Sequence, residues 1–255
     1  MKLVKNAPKS KFWDVKMAAN DPKTGEVYIY GDIVSYKWDD TDTTAASFKE
    51  DLDALGDIET LNVYVNSYGG SVFQGQAIHT ILKRHPAVKN GYVDGLAASI
   101  ASAVIAACDT VYMPRNAMQM IHNCWSVCIG NSSDMRKTAD DLDKINVSIK
   151  AAYMSKAGDK ITEDKLTELL DAETWLTAQD CYDIGLCDEL LEEKEIAASA
   201  NSEFITHYKN VPESLKNQFK TEPKGVDRLS DEQRQSIIET AKVSSETITQ
   251  ILEVL

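Results

Sequence analysis

Hydrophobic and polar positions change period several times along this chain, and each change marks a predicted element. Residues 26 to 34, Glu-Val-Tyr-Ile-Tyr-Gly-Asp-Ile-Val, alternate and are rich in β-formers, which predicts a strand. The acidic, threonine-rich stretch from Asp39 to Thr44 leads into a helical pattern that runs through Leu55. Leu61 to Val65 is a second strand and ends in Asn66-Ser-Tyr-Gly69-Gly70-Ser71. Beyond it Val72, Gln76, Ile78, Ile81 and Leu82 mark a helix that stops before Pro86, because a residue ahead of proline is pushed out of the helical region. Gly91 to Asp94 reads as a short strand, Gly95-Leu-Ala-Ala-Ser99 as a turn of small residues, and Ile100 to Ala107 as a buried helix too short to span a bilayer. Strand, glycine turn and helix thus occur twice, at 61 to 84 and at 91 to 107.

Thr110 to Met113 and Met118 to His122 read as strands, and Trp125 to Asn131 as a small hairpin or loop. From Ser133 to Ala157 the apolar positions Leu142, Ile145, Val147, Ile149, Ala152 and Met154, set among charges, predict one long helix. Thr162 to Leu170 is another, and Thr177 to Ile184 a third that Gly185 ends. Strands alternating with helices predict an α/β fold, a mostly parallel sheet with helices packed on it. Residues 26–191 form that domain, preceded by an N-terminal segment at 1–25. Residues 192–228 are polar, without a sustained period, and read as a linker. At 229–255, Ser230 with Gln233 gives a capping-box signal, and Ile237, Ile238, Ala241, Ile248, Ile251, Leu252 and Leu255 predict an amphipathic helix. Such a helix docks onto its own domain, a sister subunit or another protein.

Composition narrows the partners. Of 255 residues 43% are hydrophobic and 26% charged, which suits a globular core, and the net charge of -13 opposes nonspecific binding to nucleic acid or to an anionic membrane. The N-terminus carries no apolar targeting core and no stretch approaches a bilayer span, so a cytoplasmic location is expected. Five cysteines, an odd number without a Cys-x-x-Cys pair, fit reduced thiols. Cys124 and Cys128 near His122 admit a metal reading, but no second ligand pair of structural-zinc type follows, and no metal is expected.

The chemistry gathers at a few positions. Ser99 precedes a buried helix, whose first N–H groups and dipole favour an oxyanion nearby, although a serine there is also a common N-cap. A serine needs a base. Of His79, His85, His122 and His207, His122 closes an apolar strand, and strand ends are where open α/β sheets place their sites. Gly69 and Gly70 let the backbone approach a ligand closely, as an anion site or an ordinary tight turn requires. Neither phosphate-binding glycine signature follows a strand, which opposes nucleotide use.

Four motifs, Asn66-Ser-Tyr-Gly-Gly-Ser71, Gly95-Leu-Ala-Ala-Ser99, Met120-Ile-His122-Asn and Thr177 to Asp188, resemble in order and spacing those of the proteolytic subunit of Clp protease. The resemblance covers about Val27 to Leu191. It implies a fold of stacked βαβ units, shared with crotonases, with Ser133–Ala157 as the long handle helix and a C-terminal helical extension added. It implies a serine endopeptidase acting on polypeptides without a cofactor: Ser99 as nucleophile, His122 as general base, and the N–H groups of Gly70 and Ile100 as oxyanion hole. Glu173, two residues before Trp175, stands where the family has an aspartate, and Asp171 is the alternative. A homo-oligomeric ring, a heptamer or double ring, is also implied, with a Clp-type ATPase as a further partner. Asp171 to Ala178 and the C-terminal region resemble phage and prophage relatives that process capsid or head proteins, which would place the chain in a host cytoplasm. Two rivals are a crotonase-like acyl-CoA enzyme, which needs no serine nucleophile, and a catalytically silent assembly protein of the same fold.

Overall fold

A computed structural model of the chain describes residues 11–34, 44–193 and 204–213. The chain divides into two units, Met1–Val211 and Pro212–Leu255, and the fold described below is that of the first. Its elements are β1 (Trp13–Ala18), β2 (Asp21–Tyr30), α1 (Ala45–Asp53), β3 (Thr60–Ser67), α2 (Val72–Arg84), β4 (Val88–Ala98), α3 (Ile100–Ile105), β5 (Thr110–Pro114) and β6 (Met118–Ile121). There follow α4 (Ser132–Ala157), α5 (Glu163–Asp171), β7 (Thr174–Thr177), α6 (Ala178–Asp183) and β8 (Glu189–Leu191), with 3₁₀ turns at Gly158–Lys160 and Phe204–His207.

The α/β class holds. Strands β2, β3, β4, β5 and β8 pair in parallel, and β1 lies antiparallel on the outer side of β2. Burial alternates along these strands: Val63, Val65, Val93 and Val111 on one face are fully buried together with Ile78 and Leu82 of α2 and Ile105 of α3, whereas Tyr28, Tyr64, Tyr92 and Tyr112 on the other face stack on one another and stay part-buried. The sheet begins ahead of the boundary expected at residue 26: Trp13 to Met17 pairs with Ile29 to Gly25, and Trp13 is buried against Phe48. Where alternation predicted a strand through residue 34, β2 stops at Tyr30 and Ile33 makes only an isolated bridge to Gly70.

Strand β4 decides where the site lies. Its first half, Asn90 to Tyr92, pairs with β5, whereas its second half, Leu96 to Ala98, pairs with β6. The stretch expected to be a turn of small residues is therefore strand. Alanine at 97 and 98 is fully buried, and side chains that small let β6 and α3 pack on both sides. The whole reversal falls on one residue, Ser99, with φ 54 and ψ -130.

The long helix runs one residue ahead of its predicted start, with Asn131 as N-cap accepting from the N–H groups of Ser133 and Asp134. Its buried positions, Ile149, Tyr153 and Ala157, lie four apart, and Tyr153 among them meets Ser102 of α3, so one stripe of the helix is anchored while Val147 on another face stays exposed. Trp125 to Asn131 is an extended loop without a hairpin. The amphipathic pattern expected at 229–255 lies outside the described residues, as do 194–203 and 214–228 of the expected linker.

Candidate active site

Register brings the predicted pair together. Ala98 is the partner of Met120, the Ser99 N–H donates to the Met120 carbonyl at 2.8 Å, and His122 lies one residue beyond the end of β6. Ser99 Oγ and His122 Nε2 are 2.7 Å apart, a hydrogen bond between a nucleophile candidate and a base candidate. A non-glycine residue at positive φ is costly, and the described residues hold two, Ser99 and Glu173.

The nucleophile turn is braced from behind. Ser102 Oγ donates to the Ser99 carbonyl at 2.6 Å, and the Tyr153 hydroxyl of α4 meets Ser102 Oγ at 2.7 Å. In front stands the glycine turn. A Cβ on Gly69 would come within 2.7 Å of both the Ala98 carbonyl and Ser99 Cβ, so only glycine lets this backbone lie against the serine. The bridge to Ile33 uses the Gly69 carbonyl and the Ser71 N–H, which leaves the Gly70 N–H outside that pairing. Ile100 opens α3, so its N–H has no acceptor within the helix. Both residues line, with Ser99 and His122, an open cavity of about 600 Å³ whose other wall carries Leu142, Ile145 and Ile149.

Burial lowers the His122 pKa below its ordinary 6.5, opposed by the negative charge of Glu173. The ring is therefore neutral at physiological pH and ready to accept a proton. Cys124, on the same cavity, has its thiol pushed up to about 11 by burial, so it is no competing nucleophile at neutral pH. The other histidines are engaged elsewhere: His79 Nδ1 meets the Ala103 carbonyl at 2.7 Å, His85 Nδ1 accepts from the Ala87 N–H, and the His207 ring lies against Trp125.

The acid differs from expectation. In β6 and β7 Ile121 pairs with Thr174, and the same register continued by one residue sets Glu173 across from His122. Yet Glu173 Oε1 accepts from the N–H groups of Lys209 at 2.5 Å and Asn210 at 2.8 Å, and Asp171 Oδ1 accepts from Asn123 Nδ2 at 2.6 Å. Among the described residues no carboxylate hydrogen-bonds to His122 Nδ1. Glu173 reaches the imidazole through its charge.

Two features escaped the sequence reading. Strand β7, only four residues long, has too few positions to show a period. Residues 205–211 sit inside the stretch expected to be a linker, yet Ile205, Tyr208 and Val211 are buried and Tyr208 lies beside His122. Their spacing of three within a polar run was the available signal. Among the described residues no group of three or more His, Cys, Asp or Glu is placed to hold a metal ion, and no helix is long and apolar enough to cross a membrane.

Comparison with known proteins bears on this geometry. The family model described as Clp protease matches residues 31–194. An ATP-dependent Clp protease proteolytic subunit from Bacteroides fragilis is 29% identical over 147 residues, which cover 56% of this chain and 69% of that protein. Among solved structures, a ClpP1 mutant from Listeria monocytogenes superposes with a TM-score of 0.57 at 20% identity, covering 68% of this chain and 93% of that one. At that identity the likeness speaks for the fold.

Proposed function

The chain belongs to the Clp protease family, whose members are serine peptidases, and on that premise we propose that it is a serine endopeptidase with Ser99 as nucleophile and His122 as general base. The observation that carries the reading is the 2.7 Å approach of Ser99 Oγ to His122 Nε2 at a backbone reversal confined to one strained residue. Ser99 Oγ attacks the scissile carbonyl carbon as its proton passes to His122 Nε2, and the N–H groups of Gly70 and Ile100 hold the tetrahedral oxyanion. The imidazolium then protonates the leaving amine, the C–N bond breaks, and an acyl-serine remains. Water, giving its proton to His122, attacks the ester, and the imidazolium returns that proton to Ser99 Oγ as the acyl C–O bond breaks and the acid leaves. Glu173 stabilises the imidazolium through its charge. No cofactor enters these steps. An acyl-CoA enzyme that uses only two N–H groups would leave the Ser99–His122 pairing without a purpose.

Within this reading the substrate lies extended beside the glycine turn, and the cavity against Ile145 and Ile149 takes an apolar side chain. The working form is a homo-oligomeric ring. Exposed apolar residues along the loop and long helix, Val127, Ile129, Met135 and Val147, support contacts between copies. A Clp-type ATPase is a partner by family, and capsid or head proteins are substrates by the resemblance of Asp171 to Ala178.

Reaction with a fluorophosphonate probe, followed by peptide mass mapping, tests the reading. Labelling at Ser99 that disappears in Ser99→Ala and in His122→Ala is expected. Labelling that is unchanged in His122→Ala overturns the pairing, and a monomer by light scattering at working concentration overturns the ring.

A further inference from the structure

A stretch of this chain's own backbone lies on the catalytic pair. The Tyr208 ring meets His122 edge-on at 5.4 Å and Trp175 at 6.1 Å, and its hydroxyl donates to the carbonyl of Tyr68, the residue before Gly69-Gly70. Burial pushes the Tyr208 phenol up, and the Ser99 hydroxyl beside it opposes that rise. One residue earlier, the His207 ring lies 4.5 Å from that of Trp125, which lines the cavity. Just beyond it the Lys209 and Asn210 N–H groups converge on Glu173 Oε1, and Asn210 Nδ2 donates to the Ala172 carbonyl at 2.7 Å.

We infer that the flank formed by the Tyr68 carbonyl, the His122 and Trp175 rings and the Glu173 carboxylate is a subsite for a peptide bearing a tyrosyl side chain, and that residues 205–211 fill it in cis as a competitor of substrate. The inference rests on the reading of Ser99 and His122 as nucleophile and base. Three of its features are those of a bound peptide. An aromatic side chain is seated against two rings with its hydroxyl satisfied, two successive backbone N–H groups cap a carboxylate, and every third residue, Ile205, Tyr208 and Val211, is buried while the residues between them are exposed. The segment acts on both halves of the catalytic apparatus. Its phenol stands beside the nucleophile, and its backbone donors engage the carboxylate that register sets across from His122. Displacing it opens the flank and releases Glu173 toward the imidazole at once.

The test uses the full chain. Fluorophosphonate labelling of Ser99 is timed in the wild type, in Tyr208→Ala and in Tyr208→Phe, which keeps the ring and serves if the alanine variant does not fold. A synthetic peptide of residues 204–213 is then added to Tyr208→Ala, with its scrambled form as control. Removal of the ring contacts and the hydrogen bond is expected to speed labelling about tenfold, with Tyr208→Phe intermediate, and the added peptide is expected to slow it again. NMR titration of His122 supplies a readout independent of catalysis: Tyr208→Ala relieves burial and raises the imidazole pKa. Equal labelling rates with an unmoved titration overturn the inference while the nucleophile reading stands. Absence of labelling in every variant overturns the nucleophile reading, and the titration alone then decides the subsite, a shift supporting it and no shift overturning it.

Discussion

The Tyr153 hydroxyl lies 2.7 Å from the Ser102 hydroxyl, and this contact ties the long helix α4 to the first turn after Ser99. Ser102 spends its one proton on the Ser99 carbonyl, so Tyr153 is the donor to Ser102 and the chain of bonds runs from α4 into the backbone reversal. Both side chains are buried, at 1% exposure each. Ser102→Ala leaves the Tyr153 hydroxyl buried with only the Ser99 carbonyl at 3.4 Å, and removes the donor that holds that carbonyl. A loss of about 1–3 kcal/mol in denaturant unfolding is expected, with slower probe labelling of Ser99. Tyr153→Phe removes one end of the same chain and is expected to cost about 1 kcal/mol. Unchanged stability in both variants would show that the brace carries no load.

Gly69 separates two causes of strain. It has φ +92, and an added Cβ would meet the Ala98 carbonyl and Ser99 Cβ at 2.7 Å, both parts of the nucleophile turn. Gly31 has nearly the same φ, +91, with nothing within 4 Å of an added Cβ. Gly31→Ala therefore reports conformational strain alone, about 1 kcal/mol. Gly69→Ala is expected to cost more than Gly31→Ala in thermal unfolding and, unlike it, to abolish Ser99 labelling by pushing the serine off His122. Equal effects of the two would contradict the contact.

The pH dependence follows from burial. His122 accepts a proton only when neutral, its pKa is held below 6.5 by burial, and Glu173 pulls it back up. Activity is lost as pH falls through that pKa, so the acid limb of kcat/KM lies below pH 6.5. Glu173→Gln removes the raising charge, so the limb moves to lower pH. Its plateau also drops, by about tenfold for ~1.4 kcal/mol of lost imidazolium stabilisation. Asp171 has no part in the His122 shift, and Asp171→Asn leaves the limb in place. An upward move of the limb in Glu173→Gln would assign the wrong sign to that carboxylate.

These sites differ in how far the chain announces them. Helices α2 and α4 were legible because their apolar stripes persist over several turns, whereas β7 offers four residues and no period. The run Gly95-Leu-Ala-Ala carries the composition of a turn. It is strand because β4 exchanges β5 for β6 along its length, a choice made by partners 20 or more residues away. Ser99 and His122 were legible as residue types at element ends. Their 2.7 Å approach depends on the register of Ala98 with Met120, which no local pattern encodes. Glu173 illustrates the same limit, since its hydrogen-bond partners lie 36 and 37 residues along the chain, in a stretch whose polarity hides three buried anchors.

The apolar wall of the cavity carries the last prediction. Ile145 and Ile149 stand one turn apart on α4 and line the same cavity as Ser99, Gly70 and Ile100, so they sit where a substrate side chain beside the scissile carbonyl is seated. Ile149 is 6% exposed and belongs to the core, whereas Ile145 is only partly buried, so the latter can be enlarged without rebuilding the interior. Ile145→Trp narrows the cavity and leaves the Ser99–His122 pair untouched. In a peptide library, cleavage next to large apolar residues such as leucine or phenylalanine is expected to fall by roughly 10- to 100-fold in kcat/KM, with alanine at that position nearly unaffected. Probe labelling with a small fluorophosphonate stays at the wild-type rate, which separates a specificity change from damage to the dyad. A uniform loss over all peptides would place the substrate side chain elsewhere than against α4.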